Sequence, residues 1–145
     1  MAESNTEPLK LENQLCFPLY VASRLVTQCY QPVLEELGLT YPQYLVLMTL
    51  WETDCVTVSV LSKRLYLQSN TLTPLLKRMQ EMGLVNRDRS RQDERSVIIS
   101  LTAKGKELEE QAPKIRDQLT DSIDMTVSEA EQLKSLLHKL IKAVR

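Results

Sequence analysis

Residues 66–102 constrain the fold of this chain more than any other stretch. Tyr66-Leu67-Gln68-Ser69-Asn70-Thr71-Leu72-Thr73-Pro74-Leu75-Leu76-Lys77-Arg78-Met79 opens a helix with one apolar side. Leu72, Leu75, Leu76, Met79 and Met82 recur at spacings of three and four. Ser69 is the expected cap, and Gly83 ends the helix. The opposite side carries Asn70, Thr73, Pro74 and Lys77, and Pro74 sits early enough to remove at most about one internal hydrogen bond. Arg87, Arg89 and Arg91 then alternate, which places them on one side of an extended strand. Val97, Ile98 and Ile99 suit a returning strand, with residues 90–95 as the turn.

The rest of the chain reads as helix. Only three glycines occur in 145 residues, which argues against an all-β fold needing many tight turns. Residues 1–8 are polar and expected to be disordered. A single domain should follow, over 9–145. From Leu9 to Leu37, Leu11, Leu15, Leu19, Ala22, Leu25, Val26 and Cys29 share one broad face. Pro18 and Pro32 imply either a bend or a helix that starts near Pro18, and Gly38 closes the segment. Thr40 caps a second helix, Pro42 to Trp51. After a loop at Thr53-Asp54-Cys55, a short helix between Thr57 and Tyr66 points Val60, Leu61 and Leu65 inward. Thr102 caps a long helix from Ala103 to about Asp124, with a kink at Pro113. Thr126 and Glu129 form a capping box for a last helix to Arg145, striped by Leu133, Leu136, Leu137, Leu140, Ile141 and Val144. That stripe is more apolar surface than a small lobe needs. The fold class is mainly α with a small β-hairpin.

The net charge is −1, yet it is unevenly spread. From Lys63 to Arg95, eight bases face four acids, giving +4; elsewhere ten bases face fifteen acids, giving −5. A local basic zone attracts phosphate, while the acidic remainder limits indiscriminate binding. The polar face Ser69, Asn70, Thr71, Thr73, Lys77 has the length and chemistry to read base edges in a major groove. Lys77 and Arg78, with Arg87 and Arg89, can neutralise phosphates. Arg95 at the hairpin tip can enter a minor groove, with Asp93 close enough to orient its guanidinium. The succession is that of a winged helix-turn-helix facing double-stranded DNA.

Two further strings sharpen this. Helix, turn, reading helix, Asp93-Glu94-Arg95 wing and Ile99-Ser100-Leu101-Thr102 resemble the MarR family of winged-helix repressors. Leu11-Glu12-Asn13-Gln14-Leu15-Cys16-Phe17, with Leu19-Tyr20 and Gly38-Leu39-Thr40-Tyr41-Pro42-Gln43-Tyr44, resembles the one-cysteine type of its organic-hydroperoxide-sensing branch. The likeness spans about residues 9–142. It implies a homodimer on a pseudo-palindromic operator. The DNA-binding lobe would be about 40–101, and the dimerisation helices about 9–37 and 103–145. It departs from the family at Gln68, where Asp is common, at Asn70, where Gly is common, and at Pro18.

Cys16 is the candidate redox sensor. A thiol senses peroxide as its thiolate, and the first, reversible product is sulfenic acid. The resemblance implies that tyrosine hydroxyls hold this sulfur, some from the partner subunit. They map to Tyr30 and Tyr41, with Tyr20 nearby, while Phe17 and Leu19 make the surroundings apolar. No cysteine follows Cys55, so a low-molecular-weight thiol or over-oxidation would finish the reaction. Cys29 is either core or a resolving partner for Cys16 across the dimer.

An enzyme is disfavoured: the chain lacks a Cys-x-x-Cys pair, a glycine-rich phosphate loop and a zinc-spaced cluster, and its one histidine is His138. No cofactor or metal is expected. No apolar run reaches the roughly 18 residues of a membrane span, and no secretory signal is visible, so the expected address is the cytoplasm. The alternative function is a repressor of the same family released by a small phenolic ligand.

Overall fold

The computed structural model describes residues 6–144. Residues 1–5 of the N-terminal segment expected to be disordered lie outside the described ones, as does Arg145 at the expected end of the last helix. Within the described part, Glu7–Leu9 and Leu11–Asn13 form two 3-10 turns, stitched by Asn13 Nδ2 donating to the Glu7 carbonyl at 2.7 Å and Gln14 Nε2 to the Pro8 carbonyl at 2.6 Å. The segment expected to be irregular therefore already turns at residue 7. Helix α1 (Cys16–Glu36) starts only at Cys16, so Leu11 does not share its face. Pro18 occupies the third position of α1, where a missing N–H costs little, so the chain starts a helix there rather than bending one.

Gly38 ends α1 in the left-handed region, φ 70°. Leu39 N–H reaches back to Leu34 C=O at 2.9 Å, and Gly38 N–H to Glu35 C=O at 3.0 Å, the paired bonds of a Schellman stop. The chain reverses into α2 (Tyr41–Glu52), where Gln43 Oε1 accepts from the Thr40 backbone N–H at 3.0 Å. Helix α2 is the centre of the lobe and buries Tyr44, Val46, Leu47 and Leu50.

Next come β1 (Val56–Thr57), α3 (Val58–Leu65), α4 (Ser69–Glu81), β2 (Val85–Arg89) and β3 (Val97–Leu101). The sheet order is β1-β3-β2, all antiparallel, with Ile99 opposite both Val56 and Arg87. The hairpin expected from the sequence is present, and β1 adds a third strand. Two residues are too few to show an alternating pattern, so β1 was not legible in advance. Asp54 fixes it: one carboxylate oxygen accepts from Cys55 N–H at 2.8 Å and Leu101 N–H at 2.9 Å. The α3 register differs from expectation. Leu61 is fully buried, but Val60 is 45% exposed and does not point inward.

The long helix expected from Ala103 is divided. Helix α5 (Ala103–Glu107) passes into a 3-10 turn, Leu108–Gln111, before α6 (Ala112–Ser122). Pro113 stands in the first turn of α6, where proline is tolerated, so it marks a new start rather than a kink. Thr102 caps α5 by accepting from Gly105 N–H at 3.1 Å. Ile115 of α6 and Val33 and Leu34 of α1 are buried in the same cluster as Leu47, Leu61, Leu72, Leu76, Met79, Leu84 and Ile99. Helix α7 (Val127–Ala143) follows its capping box, with Thr126 and Glu129 exchanging backbone-to-side-chain bonds at 3.1 and 3.2 Å. No helix among the described residues is long and apolar enough to cross a membrane.

Candidate functional site

Helix α4 exists because Leu72, Leu76 and Met79 are completely buried on one face. That burial pushes Ser69, Asn70, Thr71, Lys77 and Arg78 to the outside, where all five are exposed. Gln68, not Ser69, is the N-cap, and Ser69 is the first helical residue. The Gln68 side chain makes no capping bond, and the Gln68 carbonyl receives the N–H groups of Thr71 and Leu72 at 3.0 Å. Thr73 is half-buried and donates its hydroxyl to the Ser69 carbonyl at 2.8 Å, so its donor is spent within the helix. The exposed face is polar at its N-terminal end, through Ser69, Asn70 and Thr71, and cationic further on, at Lys77 and Arg78.

The charged hairpin is arranged differently from a simple alternation. Val85 and Ile99 are buried, and Arg87 lies opposite Ile99 on β2. Arg87 is therefore half-buried on the inner face, and its Nε is buried without a partner among the described residues. Arg89 is exposed at the end of β2. Arg91 lies beyond the strand, in the turn, so the three arginines do not form one row. Asp93 shapes that turn: it accepts from the Arg95 backbone N–H at 3.0 Å and from the Ser96 hydroxyl at 3.4 Å. Its carboxylate therefore holds main chain, while Arg95 stands exposed at the tip.

Tyr66 joins α3 to α4 and was not singled out from the sequence. It is 79% exposed with a left-handed backbone at φ 55°. Its N–H caps α3 through the Ser62 carbonyl. Beside it, Arg64 pairs with Glu52 and ties α3 to α2.

The tyrosines gather on the other side of the lobe. Tyr30 and Tyr41 pack with ring centroids 4.9 Å apart, and Tyr44 lies 6.0 Å from Tyr30. Burial first, then the neighbouring phenols Tyr41 and Tyr44, push the Tyr30 hydroxyl up to about 12. Burial also raises Tyr41, and burial with Tyr41 raises Tyr44. All three are neutral hydrogen-bond donors at physiological pH. Tyr44, buried, is a member that motif reading left out. Tyr20 stands apart, 61% exposed beneath the Arg24 guanidinium at 5.6 Å.

Cys16 is exposed at the first position of α1. Tyr30 lies fourteen residues further along the same helix, about 21 Å away at 1.5 Å per residue. Within one protomer the sulfur and the tyrosine cluster are therefore not together. Leu15, Phe17, Leu19, Leu25 and Val26 around and beyond it are also exposed. Helix α7 buries none of its residues, despite Leu133, Leu136 and Ile141. Cys29 is half-buried and Cys55 exposed in its loop. Among the described residues no cluster of acidic, histidine or cysteine side chains could hold a metal.

The family of transcriptional regulators described as SarA/Rot matches residues 28–112. The organic hydroperoxide resistance transcriptional regulator of Bacillus subtilis (strain 168) is 47% identical over 142 residues, covering 98% of this chain and 97% of that one. The structure of reduced AbfR bound to DNA, a protein of Staphylococcus epidermidis, superposes with a TM-score of 0.81 at 39% identity, covering 94% of this chain and 93% of that one. The structure of disulfide-formed AbfR superposes with a TM-score of 0.63 at 37% identity, covering 98% and 94%.

Proposed function

The chain belongs to the SarA/Rot family of MarR-like winged-helix transcriptional regulators, and from that premise we propose that it is a dimeric repressor released from its operator when organic hydroperoxide oxidises Cys16. The observation that carries the reading is the 47% identity, across nearly all of both chains, to a regulator of organic hydroperoxide resistance. Residues of about 40–101 form the DNA-binding lobe in this proposal. The segments of about 9–37 and 103–145 join two copies.

The dimer follows from burial. Helix α7 leaves Leu133, Leu136 and Ile141 exposed within one chain, and the first half of α1 does the same with Phe17, Leu19 and Leu25. Burying apolar area at roughly 25 cal/mol per Å² favours covering both with a second copy. The same association brings a partner's Tyr30 and Tyr41 to Cys16, which the length of α1 forbids within one chain. Two lobes on a two-fold axis match half-sites about one helical turn apart. Each lobe would set α4 in a major groove. Ser69, Asn70 and Thr71 would then lie towards base edges, Lys77, Arg78 and Arg89 towards phosphates, and the Arg95 tip in the minor groove, while Thr73, bonded within α4, and Arg87, turned inward, would stand behind that surface.

The chemistry balances on one sulfur. The Cys16 thiolate attacks the terminal peroxide oxygen, and the O–O bond breaks. The organic fragment leaves as an alcohol after taking a proton, and the sulfur becomes sulfenic acid, oxidised by two electrons. A small cellular thiol then condenses with it, expelling water and leaving a mixed disulfide. Partner tyrosines that had donated to the sulfur lose that bond and meet added bulk. The lobes shift, and their spacing no longer matches adjacent grooves. This chemistry belongs in the reducing cytoplasm.

The test is Cys16→Ser, assayed on a duplex selected by the wild-type protein from a random-sequence pool. The variant should bind that duplex and keep it when cumene hydroperoxide is added. Release of the duplex from Cys16→Ser by hydroperoxide would refute the reading. Release by a phenolic compound alone would select the ligand-gated alternative.

A further inference from the structure

A line of rings runs from the tyrosine cluster to the root of the wing. Tyr41 packs on Tyr30 at 4.9 Å, Tyr30 faces Tyr44 at 6.0 Å, and Tyr44 meets Trp51 edge-on at 6.1 Å and 69°. Trp51 Nε1 then donates to the Gly105 carbonyl at 2.9 Å, across 54 positions of sequence. Gly105 has no room to spare: a Cβ there would collide with the carbonyl oxygen of Leu84 and stand 3.1 Å from Leu101 Cδ2. The same Leu84 carbonyl accepts from the Thr102 N–H at 3.1 Å, while the Thr102 hydroxyl donates to the neighbouring Gly83 carbonyl at 2.6 Å. Leu84 immediately precedes β2, and Leu101 ends β3. Both wing strands are thus rooted against Gly105, and Trp51 holds Gly105.

We propose that Trp51 transmits displacement of the tyrosine cluster to the wing through its indole N–H, a coupling that the undisturbed, reduced arrangement does not depend on for holding DNA. The proposal rests on the reading that Cys16 chemistry disturbs that cluster. Close-packed rings pass on a displacement instead of absorbing it. The indole bond is directional and ends on main chain, and the Gly105–Leu84 contact is backbone against backbone, with no flexible side chain between. Five residues of β2 span roughly 17 Å, so a rotation of about 10° at the root moves the tip by roughly 3 Å. That is enough to take Arg95 out of a groove.

Trp51 is the sole tryptophan in the chain, so its emission reports on this position alone. The test compares wild type with Trp51→Phe, which keeps an aromatic ring and removes the N–H. Affinity for the selected duplex is measured before and after cumene hydroperoxide with a small thiol. In wild type, oxidation should shift Trp51 emission in step with duplex release. In Trp51→Phe, the reduced protein should bind within a few-fold of wild type. The ratio of reduced to oxidised affinity should shrink about five-fold or more, the effect of one lost neutral hydrogen bond. A purely structural tryptophan would lower both affinities equally, and an unchanged ratio would overturn the proposal. So would wild-type release with no change in Trp51 emission, a measurement that stands even if the variant does not fold. If fully oxidised wild type keeps its duplex, the sulfur switch itself fails and the coupling with it.

Discussion

Tyr66 sits at φ 55° and ψ 36° with most of its side chain in water. A left-handed conformation costs a non-glycine residue roughly 1–2 kcal/mol, while glycine costs roughly 0.5–1 kcal/mol in unfolded-chain freedom. An exposed ring has little packing to lose. Tyr66→Gly should therefore stabilise the lobe by about 0.5–1 kcal/mol in urea denaturation; a clear loss of stability would show that the ring is packed after all. The phenols of the cluster make a second residue-scale prediction. Burial, with the neighbouring phenols, holds Tyr30 up to about 12, and Tyr41 and Tyr44 are raised as well. The folded state thus keeps protons that the unfolded chain sheds near pH 10. Their stabilising contribution is complete below about pH 10 and drains as pH climbs towards about 12. Melting temperature should fall across that window, and Tyr30→Phe should soften the fall; equal slopes for both proteins would count against the buried cluster. Cys16, Tyr30 and Tyr41 were singled out by resemblance; of the three, the fold brings Tyr30 and Tyr41 together and leaves Cys16 exposed at the start of α1. The packing of Tyr44 and Trp51 beside them was not legible, since an aromatic on a helix carries no mark of which ring it meets.

At the level of elements, the reading helix and hairpin were legible because burial writes a period into sequence. Leu72, Leu76 and Met79 repeat as a helix, and Val97 to Ile99 as a strand. What the pattern does not carry is end chemistry and parity. Ser69 looked like a cap by type, yet Gln68 holds that place with extended backbone, and Ser69 is the first helical residue. Arg87 looked like part of an outward row, but the register opposite Ile99 turns it inward. The break before Pro113 is a 3-10 turn at Leu108–Gln111, which no apolar period announces. The wing's role is testable as an element. Arg95→Ala should weaken binding to the selected duplex and lower the slope of log K against log salt by about 1. Identical affinity and slope in a salt series would remove Arg95 from the interface.

For the whole molecule, the uncovered stripe on α7 makes the boldest demand. Leu136 is 65% exposed within one chain, and a monomer gains nothing from it. Leu136→Glu should yield a monomer by sedimentation with its helical signal retained and its duplex affinity largely lost. A variant that remains dimeric would place the interface elsewhere. The central claim links that dimer to one sulfur, and a single titration examines the link directly. Cumene hydroperoxide and a small thiol are added stepwise to the protein on its selected duplex. Duplex release and the covalent state of Cys16 are read from the same samples by anisotropy and intact-protein mass. The two fractions should rise together at every step. Duplex leaving while Cys16 is still a thiol, or Cys16 fully converted while the duplex stays bound, would contradict the account.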